Sequence, residues 1–312
     1  MGGGRLGRIR AETLSRRAWL GLAGAAGFAA PLQIPEPVIR VDVRLVRLLV
    51  TVKDEAGRLV GGLEQDRFAV LDSGEPQKIA VFERQTAQPL SVSLLIDTSG
   101  STAKDLKYEV DSASRFLRAL TREGNPGDAL ALYSFNHDVT LQSGFTRRPE
   151  RIQKALESLK AEAGTSLYDA IILAAEGFEN RDGRHVMVVI TDGGDTTSYR
   201  SFHDALEAAH RADAVIYPIV VVPITNDAGR NVGGEHALIT LGRSTGGRTF
   251  FPSVGPALDA AFTEILRDLR TQYLIGYYPH RLPGSKKTYR RVQVSVSGDN
   301  LRAFSRDGYY EE

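Results

Sequence analysis

The sequence predicts an α/β fold with an open, mostly parallel, doubly wound sheet. From residue 88 onward, apolar segments of strand length alternate with segments whose apolar residues recur at helical spacing. The segment 90–96 predicts a buried strand, residues 106–120 predict an amphipathic helix, and the continuous apolar run at 186–190 suits a central parallel strand. Such alternation implies crossover helices and a parallel sheet that is covered on both faces. We therefore expect an α/β unit over roughly residues 88–280.

The other elements of this unit follow the same alternation. Further strands are predicted at 129–135 and 215–222, and further helices at 149–160, 166–179, 201–212 and 256–270. The apolar residues of these helices, including Phe262, Ile265 and Leu269, are expected to pack in the core rather than to form a binding surface.

Two β-rich segments flank the α/β unit. Residues 31–37 contain three prolines and form a linker, and residues 38–87 combine period-two alternation with turn sequences, which predicts a small β-rich unit. Residues 281–312 return to alternation in a region rich in tyrosine, which predicts a C-terminal β tail. A β unit of about 50 residues is marginally stable alone. We therefore predict that the tail pairs with the 38–87 sheet and completes its core.

Composition excludes several classes of protein and of site. The chain has 312 residues, of which 42% are hydrophobic and 25% are charged, with 39 basic against 38 acidic residues. These values are typical of globular proteins and exclude a disordered or multi-span membrane protein. The absence of cysteine excludes disulfides, thiolate metal sites and cysteine nucleophiles. The near-neutral charge gives no electrostatic reason to expect nucleic acid as a partner.

The first 30 residues predict an export signal. Arginines dominate residues 1–17, and the apolar stretch at 18–30 is too short to span a bilayer. Residues 15–20, Ser-Arg-Arg-Ala-Trp-Leu, resemble the twin-arginine motif. We expect cleavage near Ala29 or Ala30, with an uncleaved anchor as the alternative. The mature chain is then expected in the periplasm or outside the cell, with no integral membrane span.

Carboxylate and hydroxyl side chains follow two predicted strands and open one predicted helix. Asp97, Ser99 and Ser101 come directly after the first strand of the α/β unit, Thr165 opens a helix, and Asp192 follows the central strand. In open α/β sheets, ligands bind outside the carboxyl ends of the strands. Oxygen ligands without histidine or cysteine select a small hard cation such as Mg²⁺. These five residues therefore predict a magnesium site.

Three further residues are predicted to lie at the rim of this site. Gly100 stands between the two serines, where a glycine permits a tight turn. Asp195 is a candidate to orient a water molecule or a serine hydroxyl, and Gly193 directly follows the second aspartate of the site.

The type and order of the five predicted ligands resemble those of a known family. Asp97-x-Ser99-x-Ser101, followed by Thr165 and then Asp192, is similar to the metal-ion-dependent adhesion site of von Willebrand factor type A domains. All five positions are present in the order of the family.

The resemblance covers roughly residues 88–280, including 241–248, which look like the late segment of that fold. The flanking segments 62–68, 273–279 and 306–309 resemble those of a bacterial subgroup of exported proteins of this type. The resemblance implies that the first aspartate and the two serines bind Mg²⁺, or Mn²⁺, directly. It implies that the threonine and the second aspartate bind the ion directly or through water, depending on state.

The number of acids in this ligand set favours capture of an outside acid. One or two carboxylates with neutral hydroxyls leave a divalent ion under-neutralised, so that it still attracts an incoming carboxylate, whereas three or four acids would satisfy it. We therefore predict a protein partner that presents an exposed aspartate or glutamate.

Each element of the site also has a purely structural explanation. The segment from Asp97 to Ser101 is compatible with a turn held by side-chain hydrogen bonds. Thr165 is a common type of helix N-cap, and Asp192-Gly193-Gly194 is a common turn. Their joint occurrence at strand ends favours the metal site.

Signatures of enzymes are weak in this sequence. It contains no His-Glu-x-x-His motif and no phosphate-binding loop, and its six histidines are scattered. Asp97 lacks a second acid two residues on, which argues against aspartyl-phosphate chemistry. We therefore predict that the protein is not an enzyme.

Three hypotheses of function follow from these observations. The leading one is an exported module that captures a partner's acidic side chain on the ion, in adhesion or envelope assembly. The alternative is a non-catalytic subunit or assembly factor of a larger enzyme complex. The third is a hydrolase whose base the sequence does not reveal, for which turnover would be abolished by Asp97→Ala.

Overall fold

The computed structural model describes residues 45–84, 88–221, 232–253, 255–280 and 289–311. The predicted export signal at 1–30 and the linker at 31–37 lie outside these ranges, as do the first residues of the predicted 38–87 unit.

Strands and helices alternate through the middle of the chain, with strands alone on either side. The strands are β1 (Val46–Lys53), β2 (Phe68–Asp72), β3 (Glu75–Gln77), β4 (Ile79–Glu83), β5 (Leu90–Asp97), β6 (Ala129–Phe135), β7 (Val139–Thr146), β8 (Arg184–Thr191), β9 (Ala214–Val220), β10 (Tyr273–Tyr277), β11 (Tyr289–Val296), β12 (Arg302–Phe304) and β13 (Gly308–Tyr310). The α-helices are α1 (Leu106–Glu123), α2 (Pro149–Glu157), α3 (Leu167–Glu176), α4 (Phe202–Arg211), α5 (Val232–Ser244) and α6 (Pro256–Thr271).

A central sheet of five strands has the order β7-β6-β5-β8-β9. The pairs β5–β6, β5–β8 and β8–β9 are parallel, whereas the edge strand β7 runs antiparallel to β6. Every residue of β5, β6, β8 and β9 is buried, as expected for strands with a layer on each face. The predicted open, mostly parallel sheet is therefore confirmed.

Helices cover both faces of this sheet. On one face α1 and α6 meet through Phe116 and Phe262, whose rings stack with their centroids 4.7 Å apart. On the other face α3, α4 and α5 bury residues such as Ile171, Ala205 and Leu238. Two helical layers confirm the doubly wound architecture. None of the helices in the described ranges is both long and apolar enough to cross a bilayer.

Two elements of the α/β unit are absent from the sequence-based prediction. Strand β7 is an edge strand of mixed polarity that folds back on β6 as a hairpin, so it lacks both the apolar run and the crossover helix that mark its neighbours. Helix α5 contains Gly233, Gly234 and Gly242, which lower helix propensity. It is held by packing of Leu238 and Leu241 against the sheet.

The flanks form two further sheets of four strands, in the orders β12-β1-β10-β4 and β13-β11-β2-β3. The tail strand β11 pairs with β2, and β12 pairs with β1. The tail therefore completes the N-terminal β unit, as the sequence predicts. Strand β10, which lies inside the predicted 88–280 unit, pairs instead with β1 and β4, because its buried Tyr273 and Tyr277 belong to the core of the flanking sheets.

A buried ion pair fastens the tail to the N-terminal flank. Asp72 is fully buried, and its carboxylate accepts a hydrogen bond from Arg290 Nε at 2.8 Å. The other oxygen accepts from the hydroxyls of Tyr277 at 3.0 Å and Tyr309 at 2.9 Å. The guanidinium also donates to the carbonyl of His280. One carboxylate therefore joins β2, β10, β11 and β13.

We expect Asp72→Asn to destabilise the chain strongly, since it removes the buried carboxylate partner of Arg290 and leaves that charge only the more exposed Glu311, at 3.6 Å. Removing one partner of a buried pair costs about 3–5 kcal/mol, measurable by urea unfolding. Glu207→Gln breaks the more exposed pair with Arg211 and serves as the control. It should change the free energy of unfolding by less than about 1 kcal/mol. Equal effects of the two substitutions would contradict this assignment.

Candidate metal centre

Three loops are held together at the carboxyl edge of the central sheet. The loop after β5 is joined to the end of β6 by the hydrogen bond from Thr98 N to Phe135 O, at 2.8 Å. The segment before α3 is joined to the same loop by the bond from Glu162 N to Thr98 O, at 2.8 Å. The loop after β8 is joined to that segment by the bond from Thr196 N to Thr165 O, at 2.9 Å. The segments that carry the predicted ligands are therefore neighbours.

Asp97 is the last residue of β5 and is 0% exposed. One carboxylate oxygen accepts from the backbone N–H of Ser99 at 2.8 Å, and the other accepts from the hydroxyl of Thr191 at 2.6 Å. The hydroxyl of Thr102 donates to the carbonyl of Asp97 at 3.1 Å. The orientation of this carboxylate is thus set by its own loop on one side and by β8 on the other.

Two serine hydroxyls connect the loop of Asp97 with Asp192. The hydroxyl oxygens of Ser99 and Ser101 are 3.0 Å apart, and the hydroxyl of Ser101 donates to the carboxylate of Asp192. Four of the five predicted ligands therefore lie in one hydrogen-bonded group. Its solvent side is formed by Gly100 and Ser101, which are exposed, whereas Asp97 and Ser99 are buried.

Thr165 is linked to this group through the loop after β8. Its N–H lies 3.0 Å from the hydroxyl of Thr196 and 3.1 Å from that of Thr197, and its carbonyl accepts from the N–H groups of both. The N-cap of α3 is Ser166, not Thr165. The explanation of Thr165 as a helix cap is therefore wrong. Thr165 is instead buried beside the loop of Asp192.

Asp195 holds the beginning of α3. Its carboxylate accepts from the backbone N–H of Tyr168 at 3.3 Å and from the hydroxyl of Ser198. The oxygen of Ser198 in turn accepts from the N–H groups of Tyr168 and Asp169, each at 3.1 Å. These bonds satisfy N–H groups that a helix leaves free in its first turn. Asp195 therefore fixes the helix that follows Thr165.

The glycines of the site differ in whether the backbone needs a glycine at that position. Neither Gly100 nor Gly193 has a positive φ, and a β-carbon at either position would meet no atom closer than 3.9 Å. The tight turn therefore does not depend on Gly100, contrary to the prediction. Gly164 has a φ of +90°, and a β-carbon there would lie 2.9 Å from Cα of His137. This glycine sets the backbone path into Thr165, a role that its position before that residue did not predict.

Burial and repulsion raise the pKa values of the two aspartates. Burial raises the pKa of Asp97 to about 6, against the hydrogen bonds that it accepts, and Asp192 adds repulsion. Burial likewise raises the pKa of Asp192, against the hydrogen bond from Ser101, and Asp105 adds repulsion. The negative charge at this edge of the sheet is therefore poorly compensated by the protein.

Sequence reasoning also missed a third acid. Glu109 of α1 is 0% exposed, and burial, with repulsion from Asp97 and Asp192, raises its pKa to about 8. The sequence does contain an indication of this burial. Glu109 lies four residues before Ala113, so it is a charged residue on the apolar face of an amphipathic helix.

The donor set fits a hard divalent cation. The linked group offers carboxylate and hydroxyl oxygens, which Mg²⁺ and Mn²⁺ prefer over nitrogen or sulfur. In the part of the chain that the structure describes, no group of three or more histidine, cysteine, aspartate or glutamate side chains could hold a metal. A cation at this edge would therefore depend on the serine and threonine hydroxyls as well as on the acids.

A string with the spacing of a catalytic motif lies elsewhere. Gly242, Ser244 and Gly246 match the Gly-x-Ser-x-Gly spacing of a nucleophile elbow, which joins a strand to a helix. Here the serine ends α5 and is buried. His210 Nε2 contacts the backbone carbonyl of Ser244 at 3.0 Å rather than its hydroxyl. The string is therefore the end of a helix and not a nucleophile elbow.

Three solved bacterial structures are similar to this chain. The conserved hypothetical protein BatB from Bacteroides thetaiotaomicron is 21% identical with a TM-score of 0.45, over 57% of this chain and 98% of that chain. The vWF domain of the type V pili tip protein Mfa5 from Porphyromonas gingivalis is 16% identical with a TM-score of 0.48, over 58% and 95%. An aerotolerance-related membrane protein from Bacteroides fragilis is 22% identical with a TM-score of 0.44, over 58% and 98%.

A family model matches the centre of the chain. No curated protein matches the chain significantly. Residues 92–194, roughly a third of the chain, match the model of the von Willebrand factor type A domain. The matched segment contains all five predicted ligands. Together with the doubly wound sheet, this match supports a von Willebrand factor type A domain at the centre of this chain.

Proposed function

We propose that the α/β unit is a protein-binding module that captures an acidic side chain of a partner protein on a divalent cation, Mg²⁺ or Mn²⁺. The observation that carries this proposal is the hydrogen-bonded group of Asp97, Ser99, Ser101 and Asp192 at the carboxyl edge of the sheet. The group lies within the segment that matches a von Willebrand factor type A domain.

Each side chain has a defined task in this proposal. Asp97, Ser99 and Ser101 would hold the cation directly, and Thr165 and Asp192 would hold it directly or through water. When bound, the cation supplies a positive centre with a position open to a carboxylate from outside. The chain approaches solvent at the exposed Gly100 and Ser101, so an incoming side chain would enter there.

We further propose that the protein is exported and acts by binding rather than by catalysis. The basic and then apolar order of residues 1–30 supports export. The described contacts of two buried histidines support a non-catalytic role. His185 contacts backbone carbonyls at 2.6 Å and 3.0 Å, and His210 contacts one at 3.0 Å, so each is engaged with the main chain.

Titration of the purified protein with Mg²⁺ or Mn²⁺ should give a binding heat that is lost in Asp97→Asn and Ser99→Ala. The first substitution keeps the size of the side chain but removes the charge that attracts the cation. Asp111→Asn changes an exposed acid of α1 and should keep the heat of the wild type. Equal heats in wild type and Asp97→Asn, with both folded by circular dichroism, would contradict the site.

Cation affinity should fall as the solution becomes more acidic. A cation binds the ionised carboxylate, so below a pKa of about 6 it must displace a proton from Asp97. From pH 7 to pH 5 the affinity measured by calorimetry should fall about tenfold, because ionised Asp97 becomes about tenfold scarcer. An affinity that stays constant over this interval would exclude Asp97 as a ligand.

Partner capture should depend on the cation and on carboxylates of the partner. Immobilised wild-type protein should retain a protein from envelope extracts in Mg²⁺ and release it in EDTA, whereas Asp97→Asn should not retain it. Converting exposed carboxylates of the extract into amides with carbodiimide and a neutral amine should abolish retention. Retention that survives both EDTA and this amidation would contradict the proposed mode of binding.

A further inference from the structure

Glu109 is a buried acid without a hydrogen-bond partner. It lies in the first turn of α1, and its side chain is 0% exposed. Neither carboxylate oxygen has a hydrogen-bond partner among the described residues, and no other carboxylate in those ranges is in this condition. Buried polar groups in native structures are satisfied in the great majority of cases, so this exception requires an explanation such as a water, an ion or a function.

Packing alone does not explain this residue. Ala113, Phe116 and Leu117 continue the same face of α1 as buried apolar residues, and an apolar side chain at position 109 would extend that face without burying a carboxyl group. A protonated carboxyl needs an acceptor for its proton, and an ionised one needs donors. The described protein atoms supply neither.

The electrostatic surroundings connect Glu109 with the candidate metal centre. Burial raises the pKa of Glu109, and Asp97, Asp192 and Asp105 raise it further because each repels its ionised form. Two of these acids belong to the hydrogen-bonded group at the edge of the sheet. The three carboxylates therefore share a buried region of negative potential, where the low dielectric strengthens repulsion. A divalent cation is the kind of group that offsets it.

We propose that Glu109 is a positioning residue of the cation centre that acts from its buried side. This inference rests on the function proposed above. The carboxylate accepts a hydrogen bond from a water molecule of the cation's shell, since Mg²⁺ keeps several waters in protein sites, and its charge therefore acts through that water and not as a further ligand. Because Glu109 is buried while Gly100 and Ser101 are exposed, it leaves the side that faces a partner open.

The test is Glu109→Gln, which keeps the shape of the side chain and removes its charge. Mg²⁺ affinity measured by calorimetry should fall by at least about tenfold, as it does when outer partners of metal ligands are lost. The affinity for Tb³⁺ should fall by a larger factor, because the Coulomb attraction grows with ion charge. In EDTA the urea midpoint should be unchanged or higher, because a buried acid has been neutralised. Glu150→Gln, at an exposed acid in the first turn of α2, should change none of these quantities.

The possible outcomes separate this inference from the proposed function. Equal Mg²⁺ affinities of wild type and Glu109→Gln, with binding lost in Asp97→Asn, would overturn the role of Glu109 and leave the proposed function standing. Absence of Mg²⁺ binding by the wild type would overturn both. If Glu109→Gln folds poorly, Glu109→Met decides the matter, since a loss of stability in EDTA by both variants would assign Glu109 a packing role and contradict the proposal.

Discussion

Burial of the Asp97 carboxylate at the end of a central parallel strand is the constraint on which the site depends. The side chain is 0% exposed, and the groups against its two oxygens are neutral donors, an N–H and a hydroxyl. Neutral donors orient a carboxylate but only partly offset the cost of burying its charge. The loops around Asp97 are held in place by backbone hydrogen bonds, and turning the acid toward solvent would break the two hydrogen bonds that its carboxylate accepts. The edge of the sheet thus carries negative charge that a cation would stabilise.

The buried and exposed sides of the proposed centre would have opposite effects on binding. In the proposed cation centre, acids on the buried side, including Glu109, would tighten the hold on a cation and at the same time reduce its attraction for a further carboxylate. Hydroxyls on the exposed side, such as Ser101, add ligands without adding charge. The balance between them determines whether the ion is merely retained or also binds a partner. A centre with acids on its buried side and hydroxyls on its exposed side can both retain the ion and bind a partner.

The C-terminal tail connects the flanking strands with the α/β unit. Strands β11 and β12 complete the N-terminal sheets, and the buried pair of Asp72 and Arg290 closes their core. The tail also contacts the α/β unit, where the N–H of Asp307 donates to the carbonyl of Ser244 at 3.0 Å and Arg306 pairs with Asp213. Residues distant in sequence therefore support the C-terminal ends of α4 and α5.

Sequence alone determined the elements whose signals are local. The buried strands β5 and β8 and the helix α6 are marked by apolar patterns. The loops after those strands are rich in carboxylate and hydroxyl residues, and they predict a cation site because the type of residue fixes the type of donor atom. Strand β7 and helix α5 were missed because their conformations depend on a neighbouring strand and on packing, not on their own patterns. Tertiary structure alone decided that Asp195 holds α3, that Gly164 and not Gly100 constrains the backbone, and that Glu109 lies in the core. Each of these depends on which groups surround a residue, and the surroundings come from segments far away in the chain.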